Sequence, residues 1–276
     1  MLKEIAAKWF DYLEQRYAKK TKQSYRFVLT EFLSTLPLNI HTSEITPIHI
    51  QDYVKYLLEN DHSNRTCNHY YTILQSFFHW AKDYYQVQNP TEQFSKLIEK
   101  PPKSRCLSEK EYQQIKEITS GFENAAIQFL GNTGLRSNEY RNLKWVDFIN
   151  EPDKGFCFVH ILGKGNKERY VPLNNTCKKI ISQYPQNGEI RPDFIEHFQY
   201  QEKLYLLGQK LARNLSIPPF GPHALRHYFA TRLIRAGVPL IKVSKLLGHS
   251  SIKTTEQIYI HLVPLDFSGV TDCLDQ

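Results

Sequence analysis

The 276 residues are 41% apolar and 23% charged, with only 12 glycines and 14 prolines, which excludes disordered, collagen-like and low-complexity chains. No apolar run approaches the roughly 18–20 residues that span a bilayer, and Met1–Tyr17 mixes Lys, Glu and Asp with its apolar residues as no signal peptide does, so a cytoplasmic protein without a membrane partner is expected. Lys and Arg exceed Asp and Glu by 35 to 28; the +7 excess, spread along both halves, points to a polyanionic partner, although many cytosolic proteins are mildly basic.

The length suits two domains. Four amphipathic stripes, each apolar at i, i+3, i+4 and i+7, predict four helices in the first hundred residues. They are Ala6, Trp9, Phe10, Leu13; Tyr25, Val28, Leu29, Phe32; Ile50, Tyr53, Val54, Leu57; and Leu74, Phe77, Phe78, Ala81. The fourth is expected to break at Asn89–Pro90, because the residue before proline avoids the α region. The polar, doubly proline-punctuated segment from Glu99 to Arg105 reads as an exposed linker, and Ser108 with Glu111 has the form of a capping box. This gives a helical domain over 1–100, a linker over 101–107 and a second domain over 108–276.

The second part is mixed. Helices are predicted at about 109–118, 123–132 and 138–145. The β-forming run Phe156–Leu162, the turn Gly163–Lys167 and the run Glu168–Leu173 predict a β-hairpin, after which helices resume, one opened by Gly221-Pro222 and closed near Gly237. The fold class is mainly α with a small β-hairpin. Five cysteines, Cys67, Cys106, Cys157, Cys177 and Cys273, with no C-x-x-C pair, suit reduced thiols better than disulfides or a zinc site.

Four patches of the second part carry polar chemistry. In Thr133-Gly-Leu-Arg136, a glycine turn leads into a helix whose first turn holds Arg136 and Glu139; Arg136 either binds a phosphate at the helix N-terminus or simply pairs with Glu139. Lys164 sits on the hairpin tip, where it either reaches DNA and delivers a proton or is a solvated turn lysine. His223 and Arg226 share a helix face. His223 and His227 have half a zinc spacing, but Ala224 stands where a metalloprotease needs glutamate, and Arg226 opposes a metal. The last patch, Leu246-Leu-Gly-His249, reads as a helix end with a glycine stop, followed by a helix that Ser250 or Ser251 caps and that carries Tyr259; a DNA-binding helix-turn-helix fits the same pattern.

In combination, Thr-Gly-Leu-Arg at 133–136, Gly-Lys-Gly-Asn-Lys-Glu-Arg-Tyr-Val-Pro-Leu at 163–173, His-Ala-Leu-Arg-His at 223–227, Leu-Gly-His-Ser at 247–250 and Ile-Tyr at 258–259 resemble the tyrosine recombinase family of phage integrases and Xer-type enzymes. The resemblance covers the whole second part, and the N-terminal helices are similar to the family's core-binding domain in position and pattern. It implies a site-specific recombinase, with Arg136, Lys164, His223, Arg226 and His249 around a scissile phosphate of double-stranded DNA, Tyr259 as nucleophile and Glu139 and His227 supporting them. It also implies a 3′-phosphotyrosyl intermediate, a Holliday junction, a tetramer on DNA, and neither metal nor ATP. The interval from His249 to Tyr259 is one position longer than the usual Xer-type pattern, which tips the expectation toward a mobile-element integrase over a chromosome-dimer resolvase.

The chemistry needs these side chains. In-line attack on a phosphodiester builds charge on the non-bridging oxygens, and two arginines hold those oxygens most strongly at the transition state. A phenol of pKa about 10 needs a base, for which His223 is the candidate; the departing 5′-oxygen needs an acid, for which Lys164 is the candidate. His249 adds a hydrogen bond to the phosphate. Lys19, Lys20, Lys22, Arg26 and Arg65 are candidate backbone contacts in the helical domain, or else a solvated face. With nothing ahead of the first helix to form a further arm-binding domain, a simple recombinase is expected. A type IB topoisomerase-like relaxing enzyme and a non-catalytic DNA-binding regulator on the same scaffold are the alternatives.

Overall fold

The computed structural model of the chain describes residues 2–38, 40–99, 105–151, 153, 155–163, 167–184, 190–249 and 251–259. It divides into two compact units, Met1–Pro102 and Lys103–Gln276.

The first unit is built from α1 (Leu2–Glu14), α2 (Lys19–Thr35), α3 (Pro47–Glu59) and α4 (Asn64–Tyr85). Their predicted stripes form its core, with Phe10 and Tyr25 only partly buried at the edge. Trp9, 1% exposed, lies stacked on Tyr25 with ring centroids 5.6 Å apart and meets Phe77 edge-on at 5.2 Å. Starts are set by caps: Pro47 takes the first position of α3, and the Ser63 hydroxyl accepts the Thr66 N–H at 3.2 Å to open α4.

Helix α4 ends earlier than expected. Gln86 turns left-handed (φ 54°), so the chain leaves the helix before the proline is reached. Asn89 instead builds a local turn, its Oδ1 accepting the Thr91 N–H at 3.0 Å and the Thr91 hydroxyl at 2.7 Å. The following chain is pinned back onto α4, where the Tyr71 hydroxyl donates to the carbonyls of Thr91 and Phe94 and Asn68 pairs with the backbone of Leu97. Residues 101–104 of the expected linker lie outside the described residues; beyond them Arg105 pairs with Glu111 at 2.6 Å, and Leu107 is 3% exposed in the core of the second unit.

The second unit opens with α5 (Glu109–Ile118), capped as expected: Ser108 Oγ accepts the Glu111 N–H at 3.2 Å, and Glu111 accepts the Ser108 N–H at 2.7 Å. Next come α6 (Gly121–Thr133) and α7 (Ser137–Asn142). The predicted helix over 138–145 stops at Asn142, and Trp145–Asp147 forms a 3-10 turn instead.

The hairpin is present as β2 (Gly155–Leu162) and β3 (Glu168–Pro172), but β1 (Phe148–Glu151) extends it to a three-stranded antiparallel sheet of order β1-β2-β3. In β1 only Phe148 is buried, so the four residues carry too short an alternation to read. Val159 faces Val171 across the β2–β3 pair, both fully buried.

Six helices complete the described unit: α8 (Asn175–Gln183), α9 (Asp193–Glu196), α10 (Gln201–Leu215), α11 (Pro222–Arg235), α12 (Leu240–Leu247) and α13 (Ile252–Tyr259). Tyr112 of α5 stacks on Tyr228 of α11 at 4.2 Å. Most of the core is one cluster, but a second, smaller one joins the last three helices: Ala230 and Ile234 of α11, Val243 and Leu247 of α12, and Tyr259 at the end of α13.

Candidate active site

Two left-handed glycines place the polar groups. Gly134 (φ 64°) ends α6, and a Cβ there would stand 2.3 Å from the Phe229 ring; Gly248 (φ 65°) ends α12, and a Cβ there would stand 2.9 Å from the Arg169 guanidinium. Both turns need the absent side chain and the positive φ. Their carbonyls, with that of Leu247, hold the arginines.

Arg136 caps α7. Its backbone N–H donates to Glu139 Oε2 at 2.8 Å, its Nη1 to Glu139 Oε1 at 2.8 Å and its Nη2 to the Gly248 carbonyl at 3.1 Å. The pairing with Glu139 and the availability for an anion are therefore not exclusive, since over a third of the side chain is still exposed. Arg226 is 5% exposed and donates to two carbonyls, Gly134 at 2.8 Å and Leu247 at 2.6 Å. Burial, then the charges of Arg136 and Arg169, push its pKa down to about 9 although Glu139 acts the other way; it is still a cation at neutral pH. A buried cation held by carbonyls is an arrangement that an anion relieves.

Sequence reasoning missed Arg169. From β3 it donates Nη1 and Nη2 to the two oxygens of Glu139 at 2.9 and 2.7 Å, and Nε to the Leu246 carbonyl at 2.8 Å. Burial would raise the Glu139 carboxyl, but the hydrogen bond from Arg169, the Arg136 N–H and the Arg169 charge pull it down to about 2. Glu139 thus supports Arg136, as expected, with Arg169 as its second partner. Strand alternation could have flagged Arg169: it shares a face with buried Val171.

Helix α11 carries three of the expected residues. His223, in its first turn, is exposed; enclosure by protein, then the charges of Arg226 and Arg136, lower its pKa. His227 is half-buried, and its pKa is pushed down to about 4 by burial, His223 and Arg226. Its Nδ1 is hydrogen-bonded to the hydroxyl of Tyr259. The side chain touching the tyrosine is therefore His227, expected only as a support, and not His223. Tyr259 is 3% exposed, and burial holds its phenol above the ordinary range while Arg226 acts the other way.

His249 follows Gly248, with Nδ1 2.8 Å from the Thr255 hydroxyl. Burial, then Arg226, Arg136, His227 and Arg169, lower its pKa to about 4. The interval from His249 to Tyr259 is taken up by α13, whose start is capped by Ser251 with its Oγ 3.3 Å from the Lys253 N–H; Ser250 lies outside the described residues. So does Lys164, where the described hairpin closes with the Gly163 N–H on the Lys167 carbonyl at 2.8 Å.

In the first unit, Lys22 and Arg26 both pair with Glu14, the second at 3.2 Å, and Arg65 pairs with Glu99 at 3.2 Å. Lys19 and Lys20 are exposed at the start of α2. Among the described residues, no helix is long and apolar enough to cross a membrane.

Residues 105–264 match the model of the phage integrase family, and residues 5–86 that of the phage integrase N-terminal SAM-like domain. The chain belongs to the phage integrase family. It is 30% identical to Tyrosine recombinase XerC of Pediococcus pentosaceus over 91% of this chain and 90% of that protein. With Tyrosine recombinase XerD of Listeria innocua it shares 29% identity over 94% and 93%. Its fold is similar to that of the Tn1549 transposon integrase in complex with transposon right end DNA (TM-score 0.74, 18% identity, 99% of this chain and 98% of that one). A lambda integrase dimer bound to a COC′ core site is similar too (TM-score 0.77, 17% identity, 93% and 76%). The phage integrase family member described here is a tyrosine recombinase, an enzyme of site-specific recombination.

Proposed function

We propose that this recombinase binds double-stranded DNA at a specific site and exchanges strands through Tyr259. The Tyr259 oxygen attacks the scissile phosphorus, the bond to the 5′-oxygen breaks, and the strand is held as a 3′-phosphotyrosyl ester. The free 5′-hydroxyl of another strand reverses the step, so the phosphodiester energy is conserved without ATP. Repeated on the second pair of strands, the exchange passes through a Holliday junction. Acting on DNA, the enzyme works in the cytoplasm.

The carrying observation is the convergence on one spot of Arg136, Arg226, His249 and Tyr259, which the sequence spreads over more than a hundred residues. Arg136 and Arg226 grip the non-bridging oxygens, and their charge is worth most where negative charge grows, at the transition state. His249 adds a hydrogen bond, oriented by Thr255. His223, at the exposed start of α11 and near the charges of Arg226 and Arg136, would meet the phosphate with them. Lys164 protonates the 5′-oxygen. Glu139 and Arg169 keep Arg136 and the Gly248 turn in place. The DNA-bound forms of the structural neighbours, a dimer on a core site among them, support assembly of several protomers on DNA, in the full exchange a tetramer.

The test is a DNA duplex nicked beside the cleavage site, which loses its 5′ fragment and traps the covalent adduct. The wild-type chain forms the adduct in the presence of EDTA. Tyr259→Phe binds the duplex and forms none; an adduct with that variant would overturn the assignment of the nucleophile.

A further inference from the structure

We propose that His227 is the catalytic base of the cleavage step, taking the proton of Tyr259 as its oxygen attacks phosphorus and returning it when the strand is resealed. This rests on Tyr259 being the nucleophile. Three observations carry it. The Tyr259 hydroxyl is hydrogen-bonded to His227 Nδ1. The tyrosine is 3% exposed in the cluster of α11, α12 and α13, so bulk water does not take the proton there. His223, the other histidine of α11, is exposed one turn away, and among the described residues no hydrogen bond joins it to the tyrosine.

Helical geometry explains the division of labour. Residues 223, 226 and 227 lie at i, i+3 and i+4 on one side of α11, and each step along the helix turns the side chain by about 100°. Arg226 is aimed at the carbonyls of Gly134 and Leu247, and the next residue is rotated toward α13, where the tyrosine lies. The groups facing His227 are His223 and Arg226 on its own helix, His249 from the turn after α12, and Tyr259 from α13. Beside Tyr259 lies Cys106, whose Sγ is 3.5 Å from the Thr231 hydroxyl of α11.

Without DNA these neighbours keep the base weak. Burial depresses it most, then the charges of His223 and Arg226; a scissile phosphate that neutralises the Arg226 charge relieves one part of that depression, so the imidazole gains basicity when substrate is in place. The step balances as follows: the O–H bond of Tyr259 breaks and its proton goes to Nδ1, the Oη–P bond forms, the P–O5′ bond breaks, and the 5′-oxygen takes a separate proton from the acid. On resealing, the imidazolium returns its proton to the departing phenolate.

The test compares adduct formation by the full-length chain and by His227→Asn on the nicked duplex. The Asn oxygen can still accept the tyrosine hydroxyl but does not take its proton. Expected is a fall in cleavage rate on the order of 10²-fold or more with DNA affinity unchanged. Placing a ring-difluorinated tyrosine at 259, whose phenol is far more acidic, should shrink that deficit to a few-fold. Replacing the bridging 5′-oxygen by sulfur, a leaving group that needs no proton, should leave it intact. His227→Gln serves as the second variant if the shorter side chain impairs folding.

The proposal is overturned if the variants cleave within a few-fold of wild type, if the acidic phenol brings no recovery, or if the sulfur substrate erases the deficit. Adduct formation by Tyr259→Phe would instead sink the nucleophile itself, a separate and recognisable outcome.

Discussion

The core around Trp9 and the small cluster around Tyr259 are both made by amphipathic helices, yet they hold their aromatic residues for different ends. Trp9 is enclosed by rings and aliphatic groups, with Tyr25 on its face and Phe77 at its edge. Tyr259 shares a small apolar cluster with Ala230, Ile234, Val243 and Leu247, but its hydroxyl is hydrogen-bonded to His227, and the Arg226 charge acts on it. The first region is defined by volume, and apolar side chains of similar size and shape are tolerated best there. The second is defined by atoms, and a side chain of equal size does not replace one there.

Four substitutions or conditions separate the two regions. The largest effect is expected from Trp9→Ala, which should cost the first unit about 3–5 kcal/mol; segment-resolved hydrogen exchange should show it in α1, α2 and α4. The comparison breaks if α11–α13 lose as much protection. Arg226→Lys keeps the charge but offers one ammonium where two carbonyls and a phosphate compete, so adduct formation should fall on the order of 10²–10³-fold with little change in the melting of the fold. A fall of less than tenfold would show that charge alone, and not the planar fork, does the work.

Acid should act on the second region next. His227 and His249 are held near pKa 4 against an ordinary 6.5, so the unfolded chain takes up their protons first. Their contribution is complete above about pH 6.5 and is lost as pH falls toward 4. Glu139, at about 2 against 4.5, contributes fully above about pH 4.5 and is lost only as pH falls toward 2. Melting of the second unit followed against pH should show these two windows in that order. The smallest effect is expected from Glu14→Gln. Glu14 is exposed and its pairs with Lys22 and Arg26 are screened by solvent, so stability should not change measurably. If those cations contact DNA, the variant should bind it somewhat more tightly, with a steeper salt dependence.

What the sequence made legible follows from how local each signal is. The stripes of α1–α4, the Ser108 box and the glycine stop at 248 are written within a few residues and were readable. The end of α4 was not, because a left-handed Gln86 leaves no mark that distinguishes it from its neighbours. In the site, Arg136, Arg226, His249 and Tyr259 were readable through the family resemblance, since spacing along one helix gives only who shares its face. The role of His227 depends on how α13 docks, and that of Arg169 on which strand lies beside α12; neither contact has a local signature. Lys164 lies outside the described residues and keeps the role that the resemblance implies.

The two guanidinium groups are aimed mainly by main-chain oxygens: Gly134 and Leu247 for Arg226, Gly248 for Arg136. Such oxygens do not titrate above pH 2, and neither does Glu139 until well into acid. The set of the two guanidinium groups therefore keeps its shape in mildly acidic solution, and His227 and His249, held near pKa 4, take up protons only as the pH falls toward that value. Aim and proton uptake thus answer to different pH ranges: the arginines keep their orientation across the whole interval in which the two histidines change charge.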